Sequence, residues 1–194
     1  MDTVDPDALD RADMARLAEG HAAALDDLMT RHAARVFQFL HRMVGDEADA
    51  NDLAQETFVR VFQHCTRFRA DARFSTWLYT IAGNLARNRH RWRARHPNVP
   101  LDAPGDHGGP SLREALPAAE ASPGEAAVNA ERSAAVRRAV EALPHDLREA
   151  VILCEWQDLP VAEAAAVLHT TPKAVESRLY RARQRLREQL ARWL

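Results

Sequence analysis

At 194 residues the chain can form one mid-sized domain or two small ones. Hydrophobic residues make up 46%, enough for real cores, and sparse aromatic and β-branched residues beside abundant Ala, Leu and Arg favour helix throughout. Composition also excludes much: no run of 18 apolar residues exists to span a membrane, and the acidic opening MDTVDPDALD lacks the apolar stretch of a signal peptide. Neither Cys65 nor Cys154 stands at metal-ligand spacing from a second Cys or His, so two unpaired thiols in a reducing, cytoplasmic setting are expected.

The net charge of −2 conceals four blocks. Residues 1–66 carry 6 basic and 13 acidic side chains (−7), and residues 67–96 carry 8 and 1 (+7). Residues 97–169 carry 5 and 12 (−7), and residues 170–194 carry 7 and 2 (+5). Two basic patches set apart by acidic segments suit a protein that touches a polyanion at two places.

Residues 1 to about 18 are polar and acidic, which predicts a frayed end or a short helix. From His21 to Val44, Leu25, Leu28, Met29, His32, Val36, Phe39, Leu40 and Met43 fall at three- and four-residue steps, an amphipathic helix stopped by Gly45. His32 lies on that stripe and is expected to be packed and hydrogen-bonded. Asp46 or Asp49 can cap a second helix running to about Cys65. Its inner face is Ala50, Leu53, Ala54, Thr57, Phe58, Val61 and Phe62, and its outer face shows Asp52, Gln55, Glu56 and Arg60. From periodicity alone that outer face is an ordinary solvated one. Residues 65–73, CTRFRADAR, lack a period and read as a loop with three arginines around Phe68.

The helix predicted over Phe74 to Arg95 changes character half-way along. Phe74, Trp77, Leu78, Ile81, Ala82 and Leu85 form one apolar stripe. Beyond it, Arg87, Arg89, His90, Arg91, Arg93 and Arg95 crowd into nine positions with Trp92 and no acid. Two or three cations would suit any helix C-terminus; five arginines without a counter-charge point to nucleic acid, with aromatic rings available for bases.

Pro97 ends this bundle. Residues 97–129 hold six of the ten prolines and four of the seven glycines, and no stripe persists, so a flexible linker is expected over 97–130. From Glu131 the helical period returns. Val136, Ala139, Val140 and Leu143 form a stripe ended by Pro144; Leu147, Ala150, Val151, Leu153 and Cys154 form another. Two helices follow, Pro160 to Leu168 and Pro172 to about Leu190, separated by His169, Thr170 and Thr171. Thr171 is a natural cap with Pro172 behind it at the first helical position. Val175, Leu179, Ala182, Leu186 and Leu190 face inward; Lys173, Glu176, Ser177, Tyr180, Arg181, Arg183, Gln184 and Arg187 face out. A short helix, a tight turn and a longer basic helix describe a helix-turn-helix. The chain is thus expected to be all-α: an N-terminal helical bundle (20–96), the linker (97–130) and a C-terminal four-helix domain (131–194).

Three segments in order carry a resemblance: DANDLAQETFVRVFQ (Asp49–Gln63), FRADARFSTWLYTIAGNLARNRHRWRAR (Phe68–Arg95) and LPHDLREAVILCEWQDLPVAEAAAVLHTTPKAVESRLYRARQRL (Leu143–Leu186). Together they resemble the bacterial extracytoplasmic-function sigma factors, the minimal two-domain group of the sigma-70 family. The resemblance implies a subunit that binds core RNA polymerase, carries it to promoter DNA and starts transcription, with no catalysis of its own and no cofactor. Asp49, Asp52, Gln55 and Glu56 would dock on the polymerase's largest subunit, a cation-rich partner that suits acids. Arg67, Phe68, Arg69 and Arg73 would form the rim for an unstacked base, with Phe68 at least as well placed to seal the bundle. Asn84, Arg87, Asn88 and Arg91 would meet minus-ten DNA, reading base edges or phosphates, while Trp77 belongs to the core. Thr171, Lys173, Glu176, Ser177, Arg178 and Arg181 would meet the minus-thirty-five element in the major groove.

For many members the resemblance also implies an anti-sigma partner, though no residue here demonstrates one. Three positions depart from the family's pattern. His169 stands where Gly is usual and positive φ is often needed, Pro160 stands where a Ser or Thr cap is common, and Glu176 stands at a more often basic position. A conventional helix-turn-helix regulator with an N-terminal sensing bundle is the alternative, but it leaves the arginine-rich helix and the acidic face unused. A nucleic-acid enzyme would need metal-binding carboxylates; Asp46, Glu47, Asp49 and Asp52 are clustered, yet fit capping and docking better.

Overall fold

A computed structural model describes residues 6–96 and 123–193, with side chains placed for 7–96 and 131–193. These residues fold into two separate all-helical units. The first holds α1 (Pro6–Ala18), α2 (Ala23–Val44), α3 (Glu47–Gln63) and α4 (Phe74–Arg95), with a single 3-10 turn at Cys65–Arg67 before α4. The second holds α5 (Pro123–Glu141), α6 (His145–Val151), α7 (Val161–Val167) and α8 (Pro172–Gln189). The expected linker lies outside the described residues as far as residue 122, and its last residues already belong to α5, whose Pro123 opening precedes an alanine-rich, helix-favouring run.

In the first unit, α2, α3 and α4 bury Leu28, Val36, Phe39, Leu40, Ala50, Ala54, Phe58, Val61, Phe74, Leu78 and Ala82 almost completely. The boundaries follow from local chemistry. Gly45 adopts φ +76° at the end of α2, a left-handed conformation that glycine reaches without a Cβ clash. Asp46 caps α3, its carboxylate accepting from the Asp49 N–H at 2.8 Å. Phe62, expected on the inner face, is 49% exposed; it sits roughly 110° round the helix from the centre of the stripe, in the last turn.

Of the two expectations for the N-terminal segment, the structure has the helix. Helix α1 ends in a Schellman arrangement: the Gly20 N–H donates to Leu17 O (3.1 Å), the His21 N–H to Arg16 O (3.0 Å), and Gly20 takes φ +96°. The face of α1 turned inward is half polar. Met14 and Leu17 are buried beside Asp10 and Asp13, and these carboxylates meet α2. Arg31 donates from Nε to Asp10 (2.9 Å) and from a terminal nitrogen to Asp13 (2.5 Å), while Asp10 also accepts from His32 Nε2 at 2.8 Å. His32 completes the junction edge-on to Phe74, ring centroids 5.1 Å apart.

The second unit is built on Leu147, Ala150, Val151, Ile152, Leu153, Ala164, Val167, Val175 and Ala182. Helix α6 continues through a π-helical turn at Ile152–Trp156. Val136, expected inside, is 37% exposed; Ala135, one position earlier, is buried in its place. Helix α7 ends in a second Schellman arrangement, with the His169 N–H donating to Ala166 O (3.2 Å) and the Thr170 N–H to Ala165 O (2.9 Å). His169 sits at φ +50°, so the turn keeps its left-handed geometry although the residue is not Gly. Thr171 caps α8, its hydroxyl accepting from the Ala174 N–H at 3.2 Å.

Candidate nucleic-acid and protein interfaces

Helix α3 presents the first surface. Asp52 is exposed, and Gln55 and Glu56 are half-buried one turn on, Glu56 paired with Arg60 at 2.7 Å. Val59 and Phe62 continue the same face at 46% and 49% exposure, so the acids flank an apolar patch in water. Sequence periodicity missed this patch; an aromatic at the margin of an otherwise satisfied stripe was the available signal. Asp49 does not stand on this face. It is 4% exposed and accepts from Arg89 at 2.6 Å and from Arg93, both on α4.

That pairing also corrects the view of α4 as arginines without a counter-charge. Arg89 and Arg93 turn toward α3, and Arg93 additionally donates to Val44 O at 2.9 Å, tying the end of α2 to α4. The outward cations of this segment are Arg87, Arg91 and Arg95. Arg87 donates to Asn84 Oδ1 at 2.7 Å and Arg91 to Asn88 Oδ1 at 2.5 Å. Each asparagine oxygen thus accepts from the arginine three positions on, and its amide NH2 is a group able to donate to a ligand. Asn84, Arg87, Asn88 and Arg91 do share one face, as expected.

At the other end of α4, Phe68 packs inward. Its ring lies 6.0 Å from Phe74 and 5.5 Å from Trp77, sealing an aromatic cluster in which Trp77 is itself half-buried. Arg67, Arg69 and Arg73 are exposed around it, Arg69 gripping Asp71 through two hydrogen bonds of 3.1 and 2.7 Å. The arginines thus line the surface while the phenyl ring supports it from beneath.

In the second unit, Lys173, Glu176, Ser177 and Arg181 stand exposed along α8. Tyr180, 65% exposed between them, belongs to the same face and was not among the expected contacts. Thr171 spends its hydroxyl on the cap. Arg178 is turned aside: it is half-buried, its Nε 3.8 Å from the Asp146 carboxylate at the start of α6. Arg183 pairs with Glu155 at 2.6 Å. Beside that pair the Cys154 thiol is pushed up by burial and by Glu155, against the pull of Arg183, which disfavours the reactive thiolate. Among the described residues, no cluster of His, Cys, Asp or Glu is placed to hold a metal ion, and no helix is long and apolar enough to cross a membrane.

Two helical units, one with an acidic-apolar helix face beside an Asn/Arg face and the other with a basic helix following a tight turn, mark a two-part helical protein whose second unit carries a helix-turn-helix. Sequence profiles agree: sigma-70 region 2 matches residues 28–96 and sigma-70 region 4 matches residues 133–186. The chain is 34% identical over 180 residues to the ECF RNA polymerase sigma factor SigE of Mycolicibacterium smegmatis, covering 90% of this chain and 66% of that one. It is 33% identical over 173 residues to the RNA polymerase sigma-H factor of Pseudomonas aeruginosa, covering 87% of each. Among solved structures it resembles CnrH, determined in complex with the cytosolic domain of CnrY, with a TM-score of 0.68 and 27% identity over 94% of this chain and 97% of that one. The chain belongs to the extracytoplasmic-function sigma factors and is an RNA polymerase sigma factor.

Proposed function

We propose that the three surfaces divide the work of initiation. The outer face of α3, with Asp52, Gln55, Glu56, Val59 and Phe62, docks on core RNA polymerase. Its acids steer encounter with a cationic partner and its apolar patch supplies the buried contact. The Asn84, Arg87, Asn88 and Arg91 face of α4 meets minus-ten DNA, with Arg67, Arg69 and Arg73 drawing the displaced strand by charge. Helix α8 enters the major groove at the minus-thirty-five element through Lys173, Glu176, Ser177, Tyr180 and Arg181. The protein acts by positioning, in the cytoplasm, and performs no chemistry of its own.

The observation that carries this reading is the exposure of Val59 and Phe62 beside Asp52 and Glu56, an apolar patch rimmed by charge and uncovered within its own unit. Mixing the purified chain with core polymerase should give co-elution and promoter-dependent run-off transcripts. The double charge reversal Asp52→Lys, Glu56→Lys should abolish co-elution while leaving the circular dichroism spectrum unchanged. Retained affinity for duplex DNA with no binding to core would instead favour a free-standing regulator. The CnrH structure holds that protein in complex with a cytosolic domain of another protein; a protein partner that masks the α3 or α8 face is the corresponding proposal for this chain.

A further inference from the structure

The second half of α4 is a four-residue repeat: Asn84-Leu85-Ala86-Arg87, Asn88-Arg89-His90-Arg91, Trp92-Arg93-Ala94-Arg95. On a helix this spacing aligns two neighbouring rows, each step rising about 6 Å. One row is Asn84, Asn88, Trp92 and His96; the other is Arg87, Arg91 and Arg95. In the first two repeats the arginine is joined to its asparagine. In the third, Trp92 replaces asparagine and the pairing changes. Its indole stacks on His96, centroids 4.7 Å apart and planes 21° from parallel, and His96 Nδ1 lies 2.9 Å from the Trp92 carbonyl, fixing the imidazole. Arg95 folds back onto Arg91 O at 3.3 Å. Trp92 remains 40% exposed, although the rest of this unit buries its large aromatic rings or packs them in clusters, Phe62 excepted. A flat, immobilised ring among cations and away from the core is a stacking platform for nucleobases.

We propose that Trp92, held by His96, continues the DNA-contacting face of α4 by one turn and takes the exposed π-face of a nucleobase. That π-face belongs either to an unpaired base or to the terminal base pair at the edge of a melted stretch. The inference rests on the reading of α4 as a DNA face and adds a contact of different chemistry, because stacking contributes affinity without neutralising phosphate.

The test uses the full chain and three fluorescent probes: a single-stranded oligothymidine, a forked duplex with an unpaired arm, and a duplex closed at both ends by non-nucleotide linkers, which offers neither an unpaired base nor an open terminal pair. Anisotropy would be measured across a salt series. Trp92→Ala should weaken single-stranded or forked binding roughly tenfold, the effect of one lost stacked base, and leave the salt slope unchanged. Trp92→Phe should recover part of the loss, and His96→Ala should reproduce some of it. Arg91→Gln should instead flatten the slope by about 0.7 for a single strand. Loss on the single strand assigns the unpaired base; loss confined to the fork assigns the terminal pair. If Arg91→Gln weakens binding but Trp92→Ala does not, or if Trp92→Ala lowers all three probes equally, the stacking contact is overturned alone. If neither variant changes binding, or the chain binds no probe, the DNA role of this α4 face falls with it.

Discussion

Replacing Asp49 by Asn separates stability from docking at a residue whose sequence context suggested docking. Asp49 is 4% exposed and is the shared acceptor for Arg89 and Arg93, whose side chains are each 28% exposed. Breaking a buried pair from one side costs about 3–5 kcal/mol, because the partner charge is left desolvated. Here water reaches part of both guanidiniums, and Asn keeps one acceptor oxygen, so roughly 2–3 kcal/mol is expected. For a unit of this size that lowers the melting temperature by roughly 10–20 °C. Thermal and urea unfolding of the full chain followed by circular dichroism would read the loss. A double-mutant cycle with Arg93→Gln should return a coupling of at least about 1 kcal/mol. At a temperature where the variant is folded, its affinity for core polymerase should stay within about threefold of wild type, since that change is below 1 kcal/mol. An unchanged melting curve with lost polymerase binding would refute the reasoning and return Asp49 to the docking face.

Lys173→Ala and Arg181→Ala should each weaken minus-thirty-five duplex binding and lower the salt slope by about 1. Arg178→Ala should chiefly destabilise the second unit, because its guanidinium faces Asp146; equal slopes for all three variants would contradict that assignment. His169→Gly should raise the stability of the second unit by about 0.5–1 kcal/mol, since Gly occupies φ +50° without the Cβ clash but loses more chain entropy; a melting point that falls would show that the imidazole contributes more than its strain. Asp10 gives a pH signature. Burial pushes its carboxyl up, but the hydrogen bonds and charges of His32 and Arg31 outweigh that and hold it below the ordinary value. A depressed folded pKa adds stability above the unfolded value of about 3.9 that is lost as pH falls through the folded one. Urea midpoints from pH 5 downward should therefore drop more steeply for wild type than for Asp10→Asn; parallel curves would exclude a contribution from this cluster.

Helices α2, α4, α7 and α8 were legible within a residue or two because their buried positions recur with the helical period and their ends carry Gly45, Pro97, Thr171 and Pro172. Helix α1 was not, because its inward face mixes Met14 and Leu17 with Asp10 and Asp13. A period search scores those carboxylates as solvent-facing, although Gly20 stood at its end as a stop signal. Phe62 and Val136 were misplaced for a related reason. Periodicity locates the centre of a stripe well and its margins poorly, and margins are where partner-facing apolar residues sit.

Sequence alone determined the all-helical fold, the helix-turn-helix, the two-patch charge layout and the family, because these depend on local spacing and on motifs contiguous in the chain. The direction of each charge was decided by the tertiary structure. Arg89 and Arg93 sit among five arginines in sequence, yet they turn inward because Asp49, forty and forty-four positions away, is buried where α3 crosses α4. Arg178 turns from the exposed side of α8 toward Asp146 in the same way. A charged residue's spacing along a helix indicates the side on which it lies. Only the packed neighbours determine whether that side meets water, DNA or a counter-ion, because the partner comes from a distant part of the chain.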